Sequence, residues 1–188
     1  MAPPLPPPVR KALLALARRA IGVYLSEGRR LVVGVDCPSM ASEPRGAFVT
    51  LKRRGGALRG CIGTILPSGP LDVTVARMAV SAAVEDPRFP PVSSSELQAL
   101  SIEISALTVP EPMRAVEAIE VGRHGLIVSR GGRKGLLLPQ VPVEWGWDKQ
   151  TFLEQTCLKA GLPRGGWREP GTRIEWFEAE VWGEETPE

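Results

Sequence analysis

The chain of 188 residues has 43% hydrophobic and 23% charged residues, a composition that excludes intrinsic disorder over most of its length. Its formal net charge of +2 is too small to mark a nucleic-acid-binding protein, in which clustered basic residues are expected. The longest stretch without charged side chains, Gly60–Leu71, is shorter than the roughly 20 residues of a membrane-spanning helix. We therefore expect a soluble protein that does not enter a membrane.

The first eight residues are rich in proline and predict an arm without regular structure. They lack the basic start of a signal peptide, and Arg18 and Arg19 interrupt the apolar run that follows, so we expect a cytoplasmic protein. Cys37, Cys61 and Cys157 are too scattered for a disulfide framework and should be free thiols. The absence of asparagine weakly indicates a thermophilic source.

The first half of the chain predicts helices alternating with strands. In chain order these are a helix from Val9 to Gly28, hairpin strands at 46–51 and 57–65, a helix at 70–85, a short helix with a capping box at Ser93 and Glu96, and a strand at 100–107. The turn at 52–56 contains glycines where positive φ is needed. Prolines after Asp86 end the second helix.

The second half repeats the hairpin theme. We expect strands at 125–130 and 134–138 around Gly131-Gly132, a helix at 149–160 between Asp148 and Gly161, and a final strand at 173–182. Short hairpins require antiparallel pairing. The sequence therefore predicts an α+β fold with mainly antiparallel sheets and flanking helices, in which two lobes are built on the two hairpins. We expect a single domain at 9–183, with room for two lobes, and an acidic tail at 184–188.

Cys61 is the most informative candidate for chemistry. In a strand, Arg59, Cys61 and Gly63 would share one face, and a cation beside a thiol lowers the thiol pKa. Gly60 and Gly63 weaken a strand, so they suggest a bulge or the close approach of a ligand or of another backbone. The alternative interpretation is a glycine-kinked core strand with an inert, buried cysteine.

Other candidate site residues are spread along the chain. His124, the single histidine, is either a base for Cys61 or a local hydrogen-bonding group in a turn. Its isolation, and the absence of CxxC or HxxxH spacings, disfavours a metal site with nitrogen and sulfur ligands. Asp86 and Arg88 either cap the helix end or present a guanidinium to an anion, and Gln140 is either a surface amide or a group held at the cleft.

Several segments resemble the AMMECR-one domain family. Gly46–Leu51 and Leu58–Gly63 carry its signature, and further matches lie at Asp86–Phe89, Glu103–Ser105, His124–Leu126, Leu138–Val141 and Cys157–Leu162. The resemblance covers about residues 9–183. It implies an α+β fold in which two subdomains form a cleft between them, and a cytoplasmic location. In prokaryotes it further implies work beside a Memo-like protein and a radical SAM protein, as component A of that system. No biochemical activity is established for the family.

Three hypotheses about function remain open. In the first, a cleft around Leu58–Gly63 binds a small anionic ligand or a modified side chain; Cys61 and His124 are its candidate catalytic residues and Arg59, Gly60, Gly63, Asp86, Arg88 and Gln140 its candidate ligand-binding residues. In the second, the chain is a non-catalytic subunit of the Memo-like and radical SAM partners. In the third, the Arg-rich hairpin at 52–59 binds RNA or a nucleotide weakly. The sequence leaves the cofactor unknown.

Overall fold

A computed structural model describes residues 4–67 and 69–184. The chain forms two compact units, called unit 1 (Met1–Leu107 and Glu180–Glu188) and unit 2 (Thr108–Ala179). The helices are α1 (Pro7–Glu27), α2 (Leu71–Val84), α3 (Ser94–Leu97), α4 (Gln140–Glu144) and α5 (Lys149–Lys159). The strands are β1 (Ala47–Lys52), β2 (Leu58–Thr64), β3 (Ser101–Leu107), β4 (Glu111–Pro112), β5 (His124–Arg130), β6 (Arg133–Leu137) and β7 (Arg173–Gly183).

Unit 1 is a sheet with helices on one face. β1 lies between β2 and β3 and pairs antiparallel with both, so that Val49 stands opposite Ile62 and Ile104. These side chains point to the core, which α1 and α2 complete. The alternate residues of β1, such as Thr50, are half-buried and form the other face of the sheet, called the outer face below. The period-two alternation predicted from the sequence is therefore observed.

Helix α1 begins at Pro7, within the segment predicted as an arm. Leu5, just before it, packs against the core of unit 1, and its backbone N–H donates to the Glu180 carboxylate at 3.0 Å. The helix ends where the sequence indicated, since Gly28 adopts the left-handed conformation with φ of 69°. The remainder of the predicted arm and tail, residues 1–3 and 185–188, lies outside the described residues.

Unit 2 is built on antiparallel strands. β5 pairs with β6 and with β7, and the short β4 pairs with the opposite edge of β7. Helix α5 covers β5 and β6 and buries Phe152 and Leu153 against Leu126. Both units thus combine helices with antiparallel sheet, which confirms the predicted α+β class; a cleft remains a prediction.

One segment of unit 2 differs from the sequence expectation. The predicted strand at 134–138 is observed as β6, which ends at Leu137, but helix α4 begins at Gln140, where the sequence predicted no helix. Leu138 and Pro139 lie outside the strand, because proline has no N–H to continue the ladder. Within residues 4–67 and 69–184, the structure contains no helix whose length and hydropathy would let it cross a membrane.

Candidate functional site

Cys61 lies on the outer face of unit 1, in the middle of β2. The antiparallel register places it opposite Thr50 on β1, whose hydroxyl donates to the Cys61 sulfur at 3.2 Å. The residue is half-buried rather than sealed in the core. Of the two interpretations of this cysteine, the structure therefore favours a partly accessible thiol over an inert core residue.

The loop after α2 fixes the backbone at Cys61. Asp86 is buried, and its Oδ2 accepts the Cys61 backbone N–H at 2.8 Å. The same carboxylate holds the Arg88 guanidinium through two hydrogen bonds, from Nε at 2.9 Å and from Nη2 at 2.7 Å. The hydrogen bonds from Arg88 outweigh the effect of burial and hold the pKa of Asp86 far below its usual range. Asp86 is therefore an anion that links this loop to β2.

Arg88 remains available on this surface although Asp86 orients it. Its side chain is 54% exposed, while that of Asp86 is 2% exposed. Its Nη2 also lies 3.4 Å from the Cys61 carbonyl oxygen, and its hydrogen bonds to the Asp86 carboxylate raise the pKa of Arg88. Asp86 and Arg88 were expected either to pair at the helix end or to present a guanidinium to an anion. The geometry is compatible with both, because Arg88 binds Asp86 through Nε and Nη2 while its side chain is exposed to solvent.

Arg59 does not have the environment expected from the sequence. The register of β1 and β2 shifts between Leu51 and Lys52, which leaves Arg59 as the extra residue of a bulge. The bulge turns its side chain to Glu96, which accepts from Nε at 2.6 Å and from Nη2 at 3.0 Å. The guanidinium is buried, so Arg59 serves as one half of an ion pair with α3, and Arg88 is the cation found next to the Cys61 backbone.

The two glycines of β2 have packing explanations. A Cβ at Gly60 would lie 2.2 Å from the Ala82 carbonyl oxygen, because α2 crosses the strand there. A Cβ at Gly63 would lie 2.2 Å from the ring of Phe48, its cross-strand neighbour. The close approach that the sequence suggested is thus an approach of backbone at Gly60 and of an aromatic ring at Gly63. Neither glycine needs a ligand to explain it.

His124 begins β5 in unit 2 and is buried. Its Nδ1 accepts the Glu120 backbone N–H at 3.0 Å, and its Nε2 lies 3.9 Å from a Glu178 carboxylate oxygen. Burial lowers the pKa of His124, so the ring is neutral near pH 7 and, with Nδ1 accepting, carries its proton on Nε2. These contacts fit a local hydrogen-bonding role. Since Cys61 belongs to unit 1, a Cys61–His124 pair remains a prediction.

Gln140 is the last of the predicted site residues. Gln140 is the first residue of α4 in unit 2 and is half-buried, and its role at a cleft stays a prediction. Across residues 4–67 and 69–184, no three histidine, cysteine, aspartate or glutamate side chains form a group that could hold a metal ion. Of the site residues predicted from the sequence, the structure brings Gly60, Cys61, Asp86 and Arg88 together in unit 1.

Sequence reasoning missed two members of this region, Thr50 and Glu96. The hairpin turn alone would place Thr50 opposite Gly60, and only the bulge at Arg59 shifts the register so that Thr50 faces Cys61. Glu96 was assigned to a capping box, and the Ser93 hydroxyl does accept the Glu96 backbone N–H at 3.2 Å. Its carboxylate, however, is committed to Arg59, and that ion pair lowers the pKa of Glu96. No local sequence pattern predicts the Arg59–Glu96 contact, because the two residues are 37 positions apart.

Comparison with known proteins identifies relatives of the whole chain. The sequence pattern of the AMMECR1 family matches residues 14–182. A protein of Thermococcus gammatolerans is 50% identical over 184 residues, covering 93% of this chain and 90% of the relative. A protein of Methanopyrus kandleri is also 50% identical, covering 94% of this chain and 88% of the relative. These relatives come from thermophilic organisms, in keeping with the indication from the missing asparagine.

A solved structure shows the same fold. The crystal structure of an uncharacterised protein from Pyrococcus horikoshii superposes with a TM-score of 0.86 at 46% sequence identity, covering 96% of this chain and 93% of that one. The sequence match, the close relatives and the shared fold agree along nearly the whole length. The chain therefore belongs to the AMMECR1 family.

Proposed function

We propose that unit 1 binds a small anionic ligand or an anionic modified group on its outer face, between Arg88 and Cys61. One observation carries the proposal: the buried carboxylate of Asp86 holds both an exposed guanidinium and the backbone of a half-buried cysteine. A cation held in place loses little conformational freedom when an anion binds, and such preorganisation strengthens binding. A guanidinium also suits carboxylate or phosphate oxygens.

The free edge of Arg88 and the thiol supply different contacts. Asp86 takes Nε and Nη2 of Arg88, so the Nη1 edge is the one not used by Asp86. The Cys61 sulfur accepts a hydrogen bond from the Thr50 hydroxyl, and the Cys61 backbone is bound to the loop that carries Asp86 and Arg88. In this proposal, Arg88 binds the negative charge and Cys61 contacts the remainder of the ligand. Proton transfer by His124 is not needed for it.

Titration with inorganic phosphate and with acetate, followed by backbone amide NMR, tests the site. We expect shifts confined to residues around Arg88 and Cys61, and an Arg88→Gln variant should bind at least about tenfold more weakly because a charge-assisted hydrogen bond is lost. Arg54→Gln, at the exposed hairpin tip of the same unit, is the matched control and should bind as the parent does. Equal binding by the two variants would contradict the proposal.

The alternative of RNA or nucleotide binding is weakened by the partners of the basic hairpin. Lys52 is paired with Glu103 at 2.7 Å, and Arg53 lies 3.6 Å from the Glu96 carboxylate that also holds Arg59. Basic groups that already have carboxylate partners release fewer counterions on meeting a phosphate backbone. We therefore favour a small ligand over a nucleic acid.

A role beside Memo-like and radical SAM proteins rests on the family resemblance. It is compatible with the proposed ligand site, since a binding subunit could present a ligand or a modified group to a partner enzyme. Co-purification of the tagged chain with those two proteins tests it, with the Arg88→Gln variant as the comparison. Loss of ligand binding without loss of co-purification would separate the two roles.

A further inference from the structure

Unit 1 contains a second candidate site, away from the residues discussed so far. A cavity of about 250 Å³ opens between the start of α1 and the segment that precedes β1. Its lining residues come from these two regions and from the start of α2: Pro4, Leu5, Pro6, Val9, Met40, Ala41, Ser42, Glu43, Arg45 and Leu71. At about 30 Å³ for each water molecule, the cavity has room for roughly eight waters. Most of its wall is apolar.

Arg45 is the unusual member of this wall. Its side chain is 3% exposed, Nε donates to the Leu107 carbonyl at 3.1 Å, and Nη2 donates to Glu180 at 3.1 Å. Nη1 is buried and has no hydrogen-bond partner among residues 4–67 and 69–184. Leaving a buried donor unpaired is unfavourable, more so when the group is charged, and most such groups in folded proteins have a partner. Arg45 is one of the residues that line the cavity, so a ligand oxygen bound there is the candidate partner for Nη1.

The charges around Arg45 also favour an anion. Glu180 is shared, because its Oε1 accepts from Arg45 and its Oε2 accepts from Arg10 at 2.9 Å. One carboxylate thus compensates two guanidinium groups, which leaves an excess positive charge at this end of the cavity. Glu43 is the acidic residue of the lining, and its side chain is exposed at the rim.

The cavity wall is held in shape before any ligand arrives. Asp72, at the start of α2, is buried and accepts hydrogen bonds from the Ser39 hydroxyl at 2.7 Å and from the Met40 and Ala41 backbone N–H groups at 2.8 and 3.2 Å. Burial raises the pKa of Asp72, but these hydrogen bonds outweigh it and the net shift is downward. Pre-formed, mostly apolar cavities with a few placed polar groups are typical of small-molecule sites.

We propose that this cavity binds a small carboxylic acid with an apolar body, whose carboxylate accepts from Arg45 Nη1 and whose hydrocarbon part contacts Val9 and Met40. The site is independent of the outer face of β2, so either proposal can fail alone. The ligand class follows from the chemistry of the wall: an unpaired guanidinium edge at one end and aliphatic surface around it.

Calorimetric titration of the full chain with hexanoate, and with hexan-1-ol as the neutral analogue of equal length, tests the proposal. We expect hexanoate to bind at least about tenfold more tightly than the alcohol, because only the acid makes a charge-assisted hydrogen bond. Arg45→Gln should remove this preference. Ala41→Leu, which fills part of the cavity, should weaken both ligands, whereas Ala99→Leu on an exposed position of the same unit should change neither.

Three results would overturn the proposal: no hexanoate binding, equal affinity for acid and alcohol, or equal affinity of Ala41→Leu and Ala99→Leu for hexanoate. Because Arg45 is buried, Arg45→Gln could fail to fold, and the acid-to-alcohol ratio and the Ala41→Leu comparison decide the matter in that case. A variant without residues 1–3 is a further control. If hexanoate bound only to that shortened chain, the first residues rather than a carboxylic acid would occupy the cavity.

Discussion

Replacing Gly60 by alanine tests whether the signature glycine serves packing or a ligand. The added Cβ would lie 2.2 Å from the Ala82 carbonyl oxygen, whereas real Cβ contacts essentially never fall below 3.0 Å. Helix α2 and strand β2 would have to separate by about 1 Å, and both carry core residues with little free space. Overpacking of this kind destabilises by about 1–3 kcal/mol.

Gly22→Ala is the matched control in the same unit. Gly22 lies inside α1, has no atom within 4 Å of an added Cβ, and should gain about 0.5–1 kcal/mol of stability from the better helix propensity of alanine. The two substitutions are chemically identical, yet they should shift the free energy of unfolding in opposite directions.

Urea unfolding followed by circular dichroism measures both changes, and thermal unfolding should show a Tm lowered by about 2–12 °C for Gly60→Ala. An unchanged or increased stability for Gly60→Ala would refute the close approach of α2 to β2. A normal stability combined with lost phosphate binding would instead assign Gly60 to the ligand site.

Further predictions concern the charged pairs and the thiols. Glu96→Ala should destabilise by about 3–5 kcal/mol, measured by urea unfolding, because it leaves the buried Arg59 without a counter-charge; a change below 1 kcal/mol would contradict that account. Since the pKa of Asp86 is lowered by folding, its contribution to stability is complete above about pH 4 and is lost as the pH falls further. Asp86→Asn should therefore show a weaker loss of stability in acid than the parent. Iodoacetamide followed by mass spectrometry should label the half-buried Cys61 before Cys157, whose burial raises its thiol pKa; the reverse order would contradict the described exposure.

Features determined by neighbouring residues were predictable from the sequence. The turn at Gly131-Gly132 has φ angles of 55° and 81°, values that glycine adopts without strain. Asp148 caps α5 by accepting the Thr151 backbone N–H at 2.7 Å, and Gly161 ends that helix with φ of 69°. Each of these signals acts within four residues, so a single sequence contains all that is needed.

The environment of Arg59 could not be predicted in the same way. Regular strand alternation predicts that the Arg59 side chain lies beside Cys61. The one extra residue in β2 changes the direction of that side chain, which binds Glu96. The bulge depends on how β2 meets β1 and α3, which is tertiary information. Asp86 and Arg88 were named from their sequence context, but their shared hold on the Cys61 backbone required the coordinates.

Strand β7 contributes residues 173–179 to unit 2 and residues 180–183 to unit 1. The acidic partners of three arginines in the first 45 residues are therefore translated after the whole of unit 2: Glu180 for Arg10 and Arg45, and Glu184 for Arg18. While the ribosome is still translating unit 2, the buried guanidinium of Arg45 has no counter-charge from Glu180. Completion of unit 1 should thus wait until residues 180–184 have been translated, whereas unit 2 is continuous and can close as soon as it emerges.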